Sequence, residues 1–126
     1  MKKILISFTI IFSMMFTSVS FAEWTLVSTS VVGDENFVDF DRVRKNDGLV
    51  YFWMLTNLLE PDQSGILSTQ EYSKVDCKLF RSLSLSRTYY KLQNADGDGE
   101  TSTLVQDWFY PKPNTTYESI LNSVCK

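Results

Sequence analysis

Residues 94–100, NADGDGE, have the residue types and spacing of a calcium loop. Asn94, Asp96 and Asp98 offer oxygen donors at alternate positions, Gly99 falls where an EF-hand turns sharply, and the Glu100 carbonyl would follow. The template breaks where it is strictest: its twelfth position is Val105 instead of a bidentate glutamate, and its eighth is Thr101. The flanks TYYKL and TSTLV are strand-like where an EF-hand needs helices. The segment therefore reads as a hairpin tip, with two glycines to supply positive φ and acids to keep it soluble; weak calcium binding is the alternative.

Other groups suggest less. Asp34, Glu35, Asp39 and Asp41 could be paired carboxylates for acid/base work, but they read better as a solvated strand edge and turn. The chain has no histidine, and no base stands ready for the serines of SLSLS, which read as a solvated strand face. No catalytic constellation, metal site or cofactor site is expected, so the chain is not read as an enzyme. Its two cysteines, Cys77 and Cys125, lack the spacing of a metal site. Behind an export signal, an isolated pair reads as one disulfide, worth about 4 kcal/mol for a loop of this length.

Aromatic residues are the better lead. Tyr51, Trp53, Phe80, Tyr89, Tyr90, Trp108, Phe109 and Tyr110 exceed what a small core easily hides, and aromatics are enriched at interfaces. Trp108, Phe109 and Tyr110, beside the PKPN turn, are the candidate binding residues. Lys74, Lys78, Arg81 and Arg87 line the strand region before them and would meet an acidic partner, or form a solvated face.

The N-terminus sets the compartment. Lys2 and Lys3, an apolar run to Phe16, and Ser20 and Ala22 before Glu23 form a secretory signal peptide over residues 1–22. The run, broken by serines and threonines, is too short to span a membrane. Export leaves a single domain, residues 23–126, for the periplasm, the cell surface or the medium. Its formal charge is −5 (10 Lys+Arg against 15 Asp+Glu), compared with −3 for the whole chain. Nucleic acid and anionic membranes are therefore not expected partners.

The elements that must position these groups follow from periodicity. WTLVSTSVV reads as a first strand, GDEN as a turn, and FVDF as a short second strand. DRVR opens a third, ended by the Asp-Gly hairpin signal of KNDG. LVYFWMLTNLL is apolar on both faces, which predicts a strand covered on both sides, by a helix and by loops or another subunit. EPDQSGILST is a loop. YSKVDCKLFRSLSLSRTYYKLQ alternates as one long strand, with Val75, Cys77, Leu79, Leu83 and Leu85 inward and Lys78, Ser82, Ser84 and Ser86 outward. At the end, Thr115 and Glu118 make a capping box, so Asn114-Thr115-Thr116 reads as a helix cap and not a glycosylation acceptor. Tyr117, Ile120, Leu121 and Val124 make an apolar stripe. Too short to persist alone, this helix must dock on the leucine face, which brings Cys125 to Cys77. The fold class is α+β: an antiparallel sheet with one C-terminal helix tied to it by the disulfide.

These segments in this order resemble the surface-adhesin protein E family: AEWTLV, FVDFDRVRKNDG, VYFWMLTNLLEP, EYSKVDCKLFRSLSL around the first cysteine, and SILNSVC at the end. The resemblance implies a sheet with a disulfide-held helix, and a homodimeric adhesin recognising host extracellular proteins such as vitronectin, laminin and plasminogen. Two features depart from it. No lipid-attachment cysteine is present, and EPDQSGILST carries no Lys or Arg where the resemblance implies a basic binding stretch. The expected function is an exported adhesin-like protein-binding module; the alternative is a periplasmic structural or assembly accessory, dimeric through the VYFWML face.

Overall fold

The computed structural model describes residues 23–103 and 106–126, so the signal peptide and Val105 lie outside the described residues. Seven antiparallel strands form one sheet: β1 (Thr25–Thr29), β2 (Glu35–Val38), β3 (Arg44–Asn46), β4 (Leu49–Asn57), β5 (Ser68–Asp76), β6 (Arg81–Tyr90) and β7 (Gly99–Ser102). The order across it is β1-β2-β4-β5-β6-β7, with β3 paired to β4 beyond the end of β2. The one α-helix among the described residues, α1 (Thr116–Val124), follows. The α+β architecture is as expected from the sequence.

Local chemistry explains several joints. Asp47 (φ 50°) and Gly48 (φ 76°) make the two-residue β3–β4 turn, whose positive φ values match the twist of the strands. Thr115 caps α1 by accepting the Glu118 N–H at 3.4 Å, while the Glu118 carboxylate accepts the Asn114 N–H at 3.3 Å. Ile120, Leu121 and Val124 are buried on the sheet, and Cys77 bonds Cys125 across a Cα separation of 5.6 Å. The core beneath the helix comprises Val38, Val50, Phe52, Met54 and Val75.

Three expectations are corrected. The first strand ends at Thr29, because Ser30 N–H to Asp34 O (2.8 Å) and Gly33 N–H to Ser30 O (3.0 Å) close a turn. Val31 and Val32 stand exposed in that turn despite their β propensity. The long alternating segment is a hairpin, not one strand. Asp76 accepts the N–H groups of Lys78 and Leu79 at 3.1 Å each, and Phe80 adopts φ 52°, so residues 77–80 form a tight turn. Parity is reset there. In β6 it is Ser82 and Ser84 that lie buried on the helix side, while Leu83, register partner of Lys74, is on the other face. The helix consequently docks on the Val38–Val75 core and not on leucines, and it lies nearest β1 and β2.

The acidic set is also redistributed. Asp39 is buried, not solvated: it accepts the Asp41 N–H at 3.1 Å, pairs with Arg42 at 3.3 Å and caps a short 3-10 turn at Phe40–Arg42. Asp34 accepts the Leu59 N–H at 3.0 Å. The NADGDGE segment forms the β6–β7 hairpin tip as expected. Asn94 (φ 62°) exchanges two 2.8 Å hydrogen bonds with Asn57, so its side-chain oxygen is engaged within the fold. Of the two glycines only Gly97 has positive φ; Gly99 is in β7, where an added Cβ would lie 2.5 Å from Thr88 Cγ2.

Candidate interaction surface

The face of the sheet opposite the helix is only half covered. At one end the connections around residues 58–67 and 91–96 fold over it, through Gln93 Nε2 to Leu58 O (3.0 Å) and Ala95 N–H to Ser68 Oγ (3.0 Å), and Leu55, Asn57 and Ser68 are buried. At the other end β4 and β5 present Tyr51, Trp53 and Tyr72 half-exposed. Of the cover predicted for both sides of LVYFWMLTNLL, the helix closes one face and loops close the second half of the other, leaving the first half of that face uncovered within the single chain.

Register assembles this bare end. Arg44 pairs with Tyr51, Tyr51 with Lys74 and Lys74 with Leu83, so one row across β3–β6 alternates cation and apolar group. In the next row Trp53 faces Tyr72, with ring centroids 4.8 Å apart, and Tyr51 lies 6.2 Å from Tyr72. Rings tilted by 31° at these spacings form an apolar platform. Arg42, Arg44, Trp53 and Tyr72 enclose a depression of about 360 Å³.

Trp108, Phe109 and Tyr110 extend the platform, but not as one group. Phe109 exchanges backbone hydrogen bonds of 2.8 and 2.9 Å with Ser82, forming a short bridge beside β6. Alternation then separates the side chains. Phe109 turns toward the helix and meets Tyr117 edge-on at 5.1 Å. Trp108 lies on the open side beneath Arg81 (4.2 Å) and Lys74 (5.4 Å), and the Tyr110 hydroxyl accepts from Arg81 Nη1 at 3.4 Å. Cation–π contacts hold the indole in place. Phe109 and Tyr110 remain 47% and 58% exposed, enough to meet a partner.

The charges here run against the rest of the molecule. Arg42 is shared with Asp39 and Arg81 with Asp76, each at 3.3 Å, while Arg44 and Lys74 have no carboxylate within 4 Å among the described residues. An acidic protein therefore carries a local cationic and aromatic strip. Sequence reasoning found Trp108, Trp53, Tyr51 and Lys74 separately but missed Tyr72, Arg42 and Arg44. The readable signal was the period-two pairing of YFW with the residues either side of Ser73.

Arg87, expected on a solvated face with the other cations, instead lies on the helix side. It pairs with the buried Glu71 at 2.9 Å. Burial alone would lower the guanidinium pKa, but the charge of Glu71 and hydrogen bonds to Glu71 and Tyr89 hold it above its usual value. The nearby Tyr117 hydroxyl is pushed up, first by burial and then by the charge of Glu71, with Arg87 opposing.

A disulfide-pinned helix on one face of an antiparallel sheet, with an aromatic and cationic platform on the other, defines a small disulfide-tied α+β module. The sequence profile of the surface-adhesin protein E family matches residues 24–126, and the chain belongs to that family. Among solved structures it is similar to Haemophilus influenzae protein E in crystal form II, with TM-score 0.60, 14% identity, and 84% of this chain covered against 89% of that one. The selenomethionine form of that protein gives TM-score 0.59 at 13% identity, covering 84% and 88%. Protein E from the non-typeable organism gives 0.53 at 13% identity, covering 86% and 78%. No curated protein matches the chain. Family membership implies an exported surface adhesin, and no helix among the described residues is long and apolar enough to cross a membrane.

Proposed function

We propose that this chain is a surface adhesin that binds host extracellular proteins through the open sheet face, engaging an acidic segment that also carries aromatic or other apolar side chains. The carrying observation is the strip of Arg44, Lys74, Trp53, Tyr72 and Trp108, in which two cations without carboxylate partners among the described residues flank closely packed rings. Rings supply desolvated contact area at small entropic cost, while the cations steer and orient an acidic partner. Tyr110, held by Arg81, forms the rim of the same surface, while Phe109 lies on the helix side.

The same charges count against the alternative of a dimer through the VYFWML face, since burying it against a second copy would desolvate Arg44 and Lys74, which have no carboxylate partner among the described residues. The test is binding of the purified protein to immobilised vitronectin, laminin and plasminogen, alongside a heat-denatured control. Saturable binding that weakens with salt and drops at least about tenfold in Arg44→Glu/Lys74→Glu supports this surface. Binding equal to the denatured control removes the adhesin reading. Protease treatment of intact cells addresses location: protein spared by the protease favours a periplasmic accessory.

A further inference from the structure

The helix and the sheet do not fill the space between them. Ile120, Leu121 and Val124 seat α1 toward β1 and β2. Over β5 and β6 the sheet offers Ser73, Ser82 and Ser84, side chains too small to reach across, and a cavity of about 420 Å³ is left. Phe52 and Met54 form its apolar floor, Ile120 and Leu121 its helix wall, and residues 106–109 its mouth. A second cavity of about 270 Å³ shares Met54, Glu71, Arg87 and Tyr117 with it and continues toward Ser30 and Asp34. The larger volume falls within the range of small-molecule sites.

Two polar features make this more than a packing defect. Ser84, 8% exposed, buries its hydroxyl oxygen against this cavity without a hydrogen-bond partner among the described residues. Glu71, 4% exposed, meets Arg87 through one oxygen and one nitrogen at 2.9 Å. The pair leaves the second carboxylate oxygen, and the guanidinium N–H groups not engaged by Glu71 or Tyr89, outside that contact. Acceptor and donor therefore stand side by side at the edge of an apolar chamber, and their charges cancel.

We propose that this cavity binds a small uncharged molecule with an apolar body and a carboxamide-like head, the head donating to Glu71 and accepting from Arg87 while the body lies against Phe52, Met54, Ile120 and Leu121. A ligand carboxylate would be repelled by Glu71 and a ligand ammonium by Arg87. A purely apolar ligand would leave the polar edge unpaired. The site lies on the opposite side of the sheet from the open face, and Trp108 is common to the linings of both.

Benzamide, benzoate and benzylamine serve as probes in a ¹H–¹⁵N NMR titration of the purified protein. Benzamide is expected to saturate, with shifts concentrated at Ser73, Ser84, Arg87 and Tyr117, and the two charged probes to bind at least about tenfold more weakly. Filling the cavity by Ser84→Leu should abolish the benzamide response. Should that variant fail to fold, Ser73→Leu provides the same blockade from β5. Three results would overturn the proposal: no saturation, shifts centred on Trp53 and Tyr72, or benzamide binding unchanged in a folded cavity-filling variant.

Discussion

The two faces of this sheet carry similar apolar side chains yet meet different fates. Phe52 and Trp53 are neighbours in β4, one pointing at the helix and 2% exposed, the other half-exposed beside Tyr72. What separates them is the covering element. The helix and the disulfide close one face, while loops close only the far end of the other. The covered face therefore buries the apolar core, while the bare end of the open face keeps its aromatic side chains half-exposed.

The largest test of this contrast is Phe52→Ala, which should cost about 3–5 kcal/mol in urea denaturation because it opens a cavity in the core. Trp53→Ala, one residue away, should cost only about 1 kcal/mol while weakening partner binding strongly. Similar losses of stability at both positions would break the distinction between the faces. Replacing Cys77 and Cys125 together by serine should remove about 2–4 kcal/mol, measured by thermal or urea unfolding under non-reducing conditions. A smaller loss, about 1 kcal/mol, is expected for Thr115→Ala, because the Glu118 N–H at the helix start loses its side-chain acceptor.

The subtlest effect is a pH slope. Tyr117 has its folded pKa raised above the ordinary value of 10.0. The unfolded chain therefore releases this proton first on the way up in pH. The stability contributed by neutral Tyr117 is whole below pH 10 and is lost as pH rises through the folded value. Tyr117→Phe should flatten that part of the stability profile above pH 10, measured by urea denaturation at a series of pH values.

Much of the scaffold was legible in short segments. The Asp47-Gly48 turn, the Thr115 cap and the apolar stripe of α1 each depend on residues within a few positions of one another. The Cys77–Cys125 pairing was legible because only two cysteines exist. The β5–β6 turn was hidden because Leu79 and Phe80 occupy it in place of glycine or proline. Its available signal was Asp76, whose carboxylate gathers the N–H groups of the turn. Missing that turn reversed the faces of Ser82, Ser84 and Leu83.

By itself, then, the sequence determined the element types, the cap, the hairpin tip at NADGDGE and the covalent tie, since these follow from local backbone preference and a unique thiol pair. Only the tertiary structure decided which face each β6 residue occupies, how Arg44, Tyr51, Lys74 and Trp108 come into one strip, and where the helix leaves space above the serines. Strand register and the position of the covering element set those outcomes. Both are fixed by contacts between residues far apart in the chain, which periodicity along a single strand does not encode.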